Sequence, residues 1–231
     1  MSDFSMPMPP PPSPITTPTF TPTGGLSKLN SAIWVLLLVS AVAGLGETLF
    51  AFLRSLVAFS LIEDFSYDTA DSAIILDDIS SVFTGINFLI AIPVFVLLVI
   101  YSHQFSQKVI ASGHKMTLPL GMSIGSWFIP LANAVLCFII FFDFVKLSMA
   151  TKKKNFLLLN LWWWMWIAGV HLSLAFNSAF GETETWDGVT AGLSVLNGLS
   201  SLVATAAMVC GALFFRELRQ VEMNLQPAVT P

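Results

Sequence analysis

The chain has 231 residues, of which 55% are hydrophobic and 10% are charged, and its net charge is −4. A soluble domain has about 25% charged residues, so this chain has too few charged side chains to cover a globular surface. A chain that is disordered throughout is also excluded, because 20 Phe and 7 Trp would remain in water. The composition indicates an integral membrane protein in contact with a lipid bilayer. The lack of a basic stripe in the sequence argues against a nucleic-acid partner.

Residues 1–29 are predicted to form a proline-rich, disordered tail in the cytoplasm. The first 27 residues contain no Lys or Arg, so they lack the basic region of a secretory signal peptide. Proline fixes φ and donates no backbone hydrogen bond, which favours an extended chain. Such a segment could bind an aromatic groove on a partner protein, although a flexible leader without a partner is the simpler alternative. The prolines of this segment are Pro7, Pro9, Pro10, Pro11, Pro12, Pro14, Pro18 and Pro22.

Five apolar stretches follow the tail, and each is long enough to cross a bilayer as a helix. They cover residues 31–53, 80–101, 118–145, 156–176 and 189–215. A spanning helix needs about 20 apolar residues. Lipid offers no hydrogen-bond partner to the backbone, so these stretches have to be helical. We therefore predict an all-α membrane protein.

The distribution of Lys and Arg decides between four and five crossings. If all five stretches cross, the ten basic residues divide seven to three between the two sides; if the third returns, only Arg54 lies outside. The positive-inside rule favours the second arrangement, with four transmembrane helices between residues 30 and 219 and five as the alternative. Both termini, including a short tail at 220–231, are then cytoplasmic. The acidic loops 63–78 and 181–188 are then external.

Pro130 divides the third stretch into two short halves. Proline removes a helical hydrogen bond, and the halves, at 12 and 15 residues, are about 18 and 22 Å long, too short to cross alone. This predicts a re-entrant or interfacial helical hairpin between the second and third crossings. The alternative is one kinked spanning helix. Asn133 could bond the backbone groups that Pro130 frees.

Three polar side chains in the apolar stretches are candidate functional residues. Glu47 could be a coupling or proton-relay carboxylate, but a structural hydrogen bond to another helix is the favoured interpretation. Asp143 is within reach of Lys146 and is interpreted as an interfacial pair. His171 has no second ligand at helical spacing, so a helix contact is favoured over a metal site. No metal or cofactor is predicted.

Two further patterns concern aromatic and small residues. The tryptophans at 162–164 and 166 surround their helix, which is typical of an aromatic belt at the cytoplasmic interface. Small residues at three- and four-residue spacing in the last stretch predict a helix-contact stripe. These small residues are Ser200, Ala204, Ala207 and Gly211.

Residues 121–125 read G-M-S-I-G, which matches the G-x-S-x-G pattern of serine hydrolases. In that class the serine lies on a turn between a strand and a helix, whereas here the pattern begins an apolar helix. An intramembrane hydrolase that uses Ser123 and His171 can be drawn, but packing of small residues is the favoured interpretation. No enzymatic activity is predicted.

Residues 125–133, which read G-S-W-F-I-P-L-A-N, resemble the core motif of the bacterial domain-of-unknown-function family 4328. The resemblance covers about residues 30–222. It implies a multi-pass protein of the bacterial cytoplasmic membrane and assigns no biochemical activity. The chain departs from the family where a basic residue and a second proline often follow the asparagine, since Leu136 and Cys137 stand there. The motif residues are Trp127, Phe128, Pro130 and Asn133.

These patterns leave two function classes open. The first is a non-enzymatic interaction or assembly protein that recruits partners through the proline-rich tail and the lysine-rich inner face. The alternative is a small transporter or channel-like protein that uses the broken hairpin and Glu47. The oligomeric state is left open.

Overall fold

The computed structural model describes residues 25–63, 67–129, 132–148, 152–180 and 188–225. These residues form helices joined by turns and short irregular segments, and contain no strand. The helices are α1 (Gly25–Glu63), α2 (Tyr67–Ala111), α3 (Met122–Gly125), α4 (Ala132–Lys146), α5 (Lys152–Phe180) and α6 (Gly188–Asn224). The predicted all-α class is therefore confirmed.

Three helices in the described ranges are long and apolar enough to cross a membrane: Gly25–Leu61, Asp71–Ala111 and Ser194–Asn224. The helices extend well beyond the apolar stretches. α2 has 45 residues and continues through Pro93, as helices in lipid tolerate. Its first turns contain part of the predicted acidic loop, and Asp77 pairs there with Arg54 of α1 at 2.5 Å.

The ends of the helical region differ slightly from the predicted boundaries. α1 begins at Gly25, inside the predicted tail 1–29, and α6 continues to Asn224, inside the predicted tail 220–231. Leu26 and Val221 are buried, so packing holds both helix ends on the bundle. Residues 1–24 and 226–231 lie outside the described residues, as do Pro130 and most of the predicted loop 181–188.

α1 packs along both α2 and α6, and α5 packs along the other side of α6. Three side-chain contacts place the start of α1, the ends of α2 and α6 and the start of α5 together. Asn30 donates to the Tyr101 hydroxyl at 3.1 Å. Lys108 donates to the Glu222 carbonyl at 2.5 Å, and Lys154 pairs with Glu217 of α6 at 2.7 Å. We call this end of the bundle, which also carries Arg216 and Arg219, the basic pole.

The largest buried side chains are aromatic and lie in the half of the bundle next to the basic pole, here the basic half. Phe105 and Phe144 meet edge to face with 4.3 Å between their ring centroids. Phe141 touches the rings of Trp162 and Phe215 in the same way. Such aromatic pairs add about 0.5–1.5 kcal/mol beyond simple burial. Large apolar side chains also cover the outside of the helices, as expected of a surface that faces lipid.

Candidate functional site

A cavity of about 520 Å³ lies between the four long helices and the turn that follows α3; we call it the central cavity. It extends from the middle of the bundle towards Glu47, into the half opposite the basic pole, here the distal half. Its lining is mostly apolar and aromatic. The polar side chains among its described lining residues are Ser40, Glu47, Thr84, Asn87, Ser200, Ser201 and Thr205.

A chain of hydrogen bonds connects the polar residues of α1 and α2. Ser40 donates to Asn87 Oδ1 at 2.9 Å, and Asn87 Nδ2 donates to Glu47 Oε2 at 3.3 Å. Ser40 and Glu47 are seven residues apart, which is about two helical turns, so both lie on the face of α1 that meets α2. Among the described lining residues Glu47 is the only carboxylate and no basic side chain is present. The site therefore has a single carboxyl group in largely apolar surroundings.

α6 closes the cavity with small and hydroxyl side chains. Thr205 Oγ1 is buried and has no hydrogen-bond partner within the described part of the chain. A Cβ atom at Gly44 of α1 would collide with this hydroxyl, so the glycine allows the two helices to approach. Gly169 of α5 lies in the same way against the backbone of Ala204. The predicted small-residue stripe of α6 thus contacts its neighbours here, while Ser200 lines the cavity.

Four tryptophans, Trp127, Trp162, Trp163 and Trp166, line the end of the cavity nearest the basic half. Trp127 Nε1 donates to Ser102 Oγ at 3.0 Å, and Trp163 Nε1 donates to the Ala134 carbonyl at 2.6 Å. Trp162 and Trp163 are only 4% and 1% exposed. The interpretation of this cluster as an interfacial belt is therefore wrong for these two rings, because a belt residue has to reach the headgroups.

The segment between α2 and α5 folds back on itself. Asp143 accepts hydrogen bonds from the Thr117 amide at 2.6 Å and from the Thr117 hydroxyl at 2.7 Å. Lys146 pairs with the same carboxylate at 2.8 Å. Asp143 is buried, so the predicted pair with Lys146 is only part of its role. The carboxylate joins the two ends of the segment, whereas the sequence pattern did not point to Thr117.

The turn of this segment packs against α2 beside the cavity. Trp127 and Phe128 meet the Phe95 ring edge to face, with centroids 5.7 and 6.0 Å away. Asn133 Nδ2 donates to the Trp127 carbonyl at 3.2 Å, and the Asn133 amide donates to the Ile129 carbonyl at 2.8 Å. Asn133 thus bonds backbone on the far side of Pro130, which itself lies outside the described residues. Three of the four motif residues thus lie together in this turn, and one of them, Trp127, lines the cavity.

His171 lies apart from the central cavity. Its side chain is exposed, and Nδ1 donates to the Ile167 carbonyl at 2.9 Å. No group of three His, Cys, Asp or Glu side chains that could hold a metal ion occurs among the described residues.

A different histidine contacts the serine of the G-M-S-I-G segment. His103 Nδ1 lies 2.9 Å from Ser123 Oγ, and Gln107 Nε2 lies 3.0 Å from His103 Nε2. The Gln107 amide donates to Nε2, so the ring proton of neutral His103 is on Nδ1 and points at the serine. Ser123 Oγ in turn donates to the Leu120 carbonyl at 2.6 Å. With this tautomer the histidine donates to the serine, and the contact joins α2 to the G-M-S-I-G segment.

The sequence pattern of a family described as a domain of unknown function (DUF4328) matches residues 65–220. No curated protein and no solved structure matches the chain. The matched range contains the folded-back segment and the residues of α2 and α6 that line the cavity. Glu47 and Ser40, on α1, lie before it.

Proposed function

This chain belongs to the DUF4328 family, and from that premise we propose that it is a multi-pass membrane protein that binds an apolar cation in its central cavity. The observation that carries the proposal is Glu47, one carboxylate in a largely apolar cavity between membrane-spanning helices. The neighbours that bond it, the Asn87 amide at 3.3 Å and the Thr84 hydroxyl, are neutral. An ionised carboxylate at membrane depth is stabilised by a positive charge, and no basic side chain of the described lining supplies one.

The aromatic wall supports the same ligand chemistry. Four indole rings line the cavity, and two of them are held through their N–H groups. A cation near a tryptophan ring gains about 0.5–2 kcal/mol from the ring electrons, more when the site excludes water. The cavity volume of about 520 Å³ is in the range of small-molecule sites, which is about 300–1,000 Å³. A ligand with an apolar body and one positive charge fits both walls.

Two probes of the same shape and opposite charge test the proposal. Tetraphenylphosphonium should bind the purified chain in detergent and change its tryptophan fluorescence with saturation, while tetraphenylborate should not. Glu47→Gln should weaken the binding of tetraphenylphosphonium by about 10-fold or more, equivalent to about 1.4 kcal/mol. Asp71→Asn, on the exposed start of α2, is the matched control and should bind like the unaltered chain. Equal responses to both probes, unchanged by Glu47→Gln, would reject the proposal.

We further propose that binding serves transport, with the folded-back segment as the movable wall. Broken helices beside a cavity at membrane depth are the usual substrate-binding elements of secondary transporters. Vesicles that contain the protein should release trapped ethidium, an aromatic cation, faster than empty vesicles. Glu47→Gln should remove the difference. Equal rates of ethidium release from both kinds of vesicle would contradict the transport proposal but not the binding proposal.

The proposed topology has four crossings, formed by α1, α2, α5 and α6, in the bacterial cytoplasmic membrane. The segment from Thr117 to Lys146 re-enters on the cytoplasmic side, and both termini are cytoplasmic. Support comes from the bond between Thr117 and Asp143, because a segment that crossed the bilayer would have these residues on opposite faces. The clustering of basic residues at one pole supports the orientation.

Cysteine labelling tests this topology. Single cysteines at positions 71 and 153, in a chain with Cys137 and Cys210 replaced by Ala, should react with an impermeant maleimide from opposite sides of the membrane. Reaction of both from the same side would exclude four crossings.

A membrane interaction or assembly role is the second candidate. The sequence observation that favours it is the proline-rich segment, which joins α1 at Gly25, close to the basic pole. Deletion of residues 1–24 should then remove proteins that co-purify with the full chain. Unchanged co-purification would count against the tail as a binding segment. We propose no enzymatic activity, and Ser123→Ala should leave cation binding unaltered.

A further inference from the structure

A second cavity, of about 380 Å³, lies between α1 and α6 at the basic pole; we call it the pole cavity. Five residues line it: Asn30, Ser31, Trp34, Arg216 and Arg219. None of them lines the central cavity, so the two cavities are separate sites. The pole cavity combines two positive charges with an aromatic side chain at one end of the bundle.

The two arginines are not neutralised by ion pairs within the described part of the chain. They lie one turn apart on one face of α6, and both are exposed. The ion pairs of the described residues instead involve Arg54, Lys146 and Lys154. Of the nearby carboxylates of α6, Glu217 is held by Lys154. The buried Glu222 interacts with Arg219 and Lys108 through their charges, but it does not line the cavity. Neither guanidinium group is therefore occupied by an ion pair among the described residues.

The opposite wall is held in place by hydrogen bonds within the bundle. Asn30 is bound to the Tyr101 hydroxyl at 3.1 Å, and Ser31 donates to the Ser27 carbonyl at 3.0 Å. Trp34 is partly buried and packs against the core. Its position near the end of the apolar part of α1 is the level at which tryptophans meet lipid headgroups. One wall of the cavity is thus held by hydrogen bonds and packing, and the two exposed arginine side chains lie opposite it.

We infer that the pole cavity binds a phosphate group. Guanidinium groups form paired hydrogen bonds with phosphate oxygens, and two of them one turn apart can hold the same group. The phosphate can belong to an anionic phospholipid of the adjoining leaflet or to a free anion. Basic pockets between membrane helices at the positive side bind acidic headgroups in this way.

Thermal unfolding of the purified full chain in a neutral detergent tests the inference. Dioctanoyl phosphatidylglycerol, at about 100 times its Kd, should raise the Tm by about 5 °C. Dioctanoyl phosphatidylcholine, whose headgroup carries no net charge, should raise it less. Arg216→Gln with Arg219→Gln should abolish the phosphatidylglycerol shift. Lys152→Gln with Lys153→Gln, which removes two exposed charges from the same pole, is the matched control and should keep it.

Inorganic phosphate at constant ionic strength distinguishes the two sources. A shift with phosphatidylglycerol but not with phosphate identifies the headgroup; a shift with phosphate alone identifies the free anion. The inference would be overturned if the arginine and lysine variants lost the increase in Tm equally. It would also be overturned if no phosphate compound raised the Tm. If the Arg→Gln pair does not unfold cooperatively, Arg216→Lys with Arg219→Lys replaces it. That variant retains the charge and should lose most of the shift, because lysine lacks the paired geometry, and an undiminished shift would also overturn the site.

Discussion

The basic and distal halves of the bundle are packed in opposite ways. In the basic half, rings such as Phe105, Phe141 and Phe214 are fully buried against one another. In the distal half the helices meet through Gly44, Gly169 and their small neighbours, and the central cavity remains open between them.

The folded-back segment accounts for the difference. α4 packs on α5 and α3 packs on α2, and Asp143 anchors the segment near the basic pole. The segment therefore adds helix to only one half of the molecule. Because protein interiors pack to nearly constant density, the other half has to close through small residues or leave space. The basic half is therefore filled by aromatic side chains, whereas the distal half retains the open central cavity.

The largest expected effect concerns the anchor of the folded-back segment. Asp143→Ala removes the buried carboxylate that accepts two charge-assisted hydrogen bonds from Thr117. The expected loss is about 3 kcal/mol, or a decrease in Tm of about 6–12 °C. Differential scanning fluorimetry in detergent measures it, with Asp71→Asn as an unaffected control. An unchanged Tm would show that packing alone holds the segment.

Two glycine substitutions compare tight and open surroundings directly. A Cβ at Gly211 would lie 2.7 Å from the Trp162 ring, whereas a Cβ at Gly85 would meet nothing within 4 Å. Gly211→Ala should therefore cost about 1–3 kcal/mol through overpacking. Gly85→Ala should be neutral or should stabilise α2 by up to about 1 kcal/mol, because alanine favours the helix. Similar Tm values for both variants would contradict the packing difference.

The smallest expected effect concerns an unpartnered hydroxyl in the cavity wall. Thr205→Val removes a buried group that has no partner within the described residues, so stability should stay the same or rise by up to about 1 kcal/mol. Thr48→Val is the matched variant, since its buried hydroxyl donates to the Gly44 carbonyl at 2.8 Å. The Thr48→Val protein should be less stable than the Thr205→Val protein. The reverse order in thermal unfolding would show that Thr205 is bonded in solution.

The positions of aromatic residues illustrate the limit of sequence patterns. Four tryptophans within five residues resemble a belt, and in a separate helix they could form one. In the fold, α4 and α6 cover Trp162 and Trp163, and the Ala134 carbonyl accepts the Trp163 N–H. The pattern of residues 162–166 contains no information about which neighbours cover them.

Contacts between residues that are distant in sequence are likewise not predicted by the sequence pattern. Lys146 is visible as the i+3 partner of Asp143, but Thr117 lies 26 residues away. The sequence suggests His171 as a partner of Ser123, whereas the fold places His103 of α2 beside it. Local spacing predicts contacts along one helix, while contacts between helices depend on their relative rotation and depth.

The sequence by itself determined that this is a helical membrane protein of the DUF4328 family, because lipid leaves the backbone of long apolar stretches only the helix. It also singled out Glu47 as an unusual residue at membrane depth. Only the tertiary structure decided that Glu47 shares a cavity with Asn87, Thr205 and four indole rings, and that two arginines of α6 face Trp34. Whether a stretch lies in lipid depends on the composition of that stretch alone. A binding site depends on how four helices pack, and no single stretch contains that information.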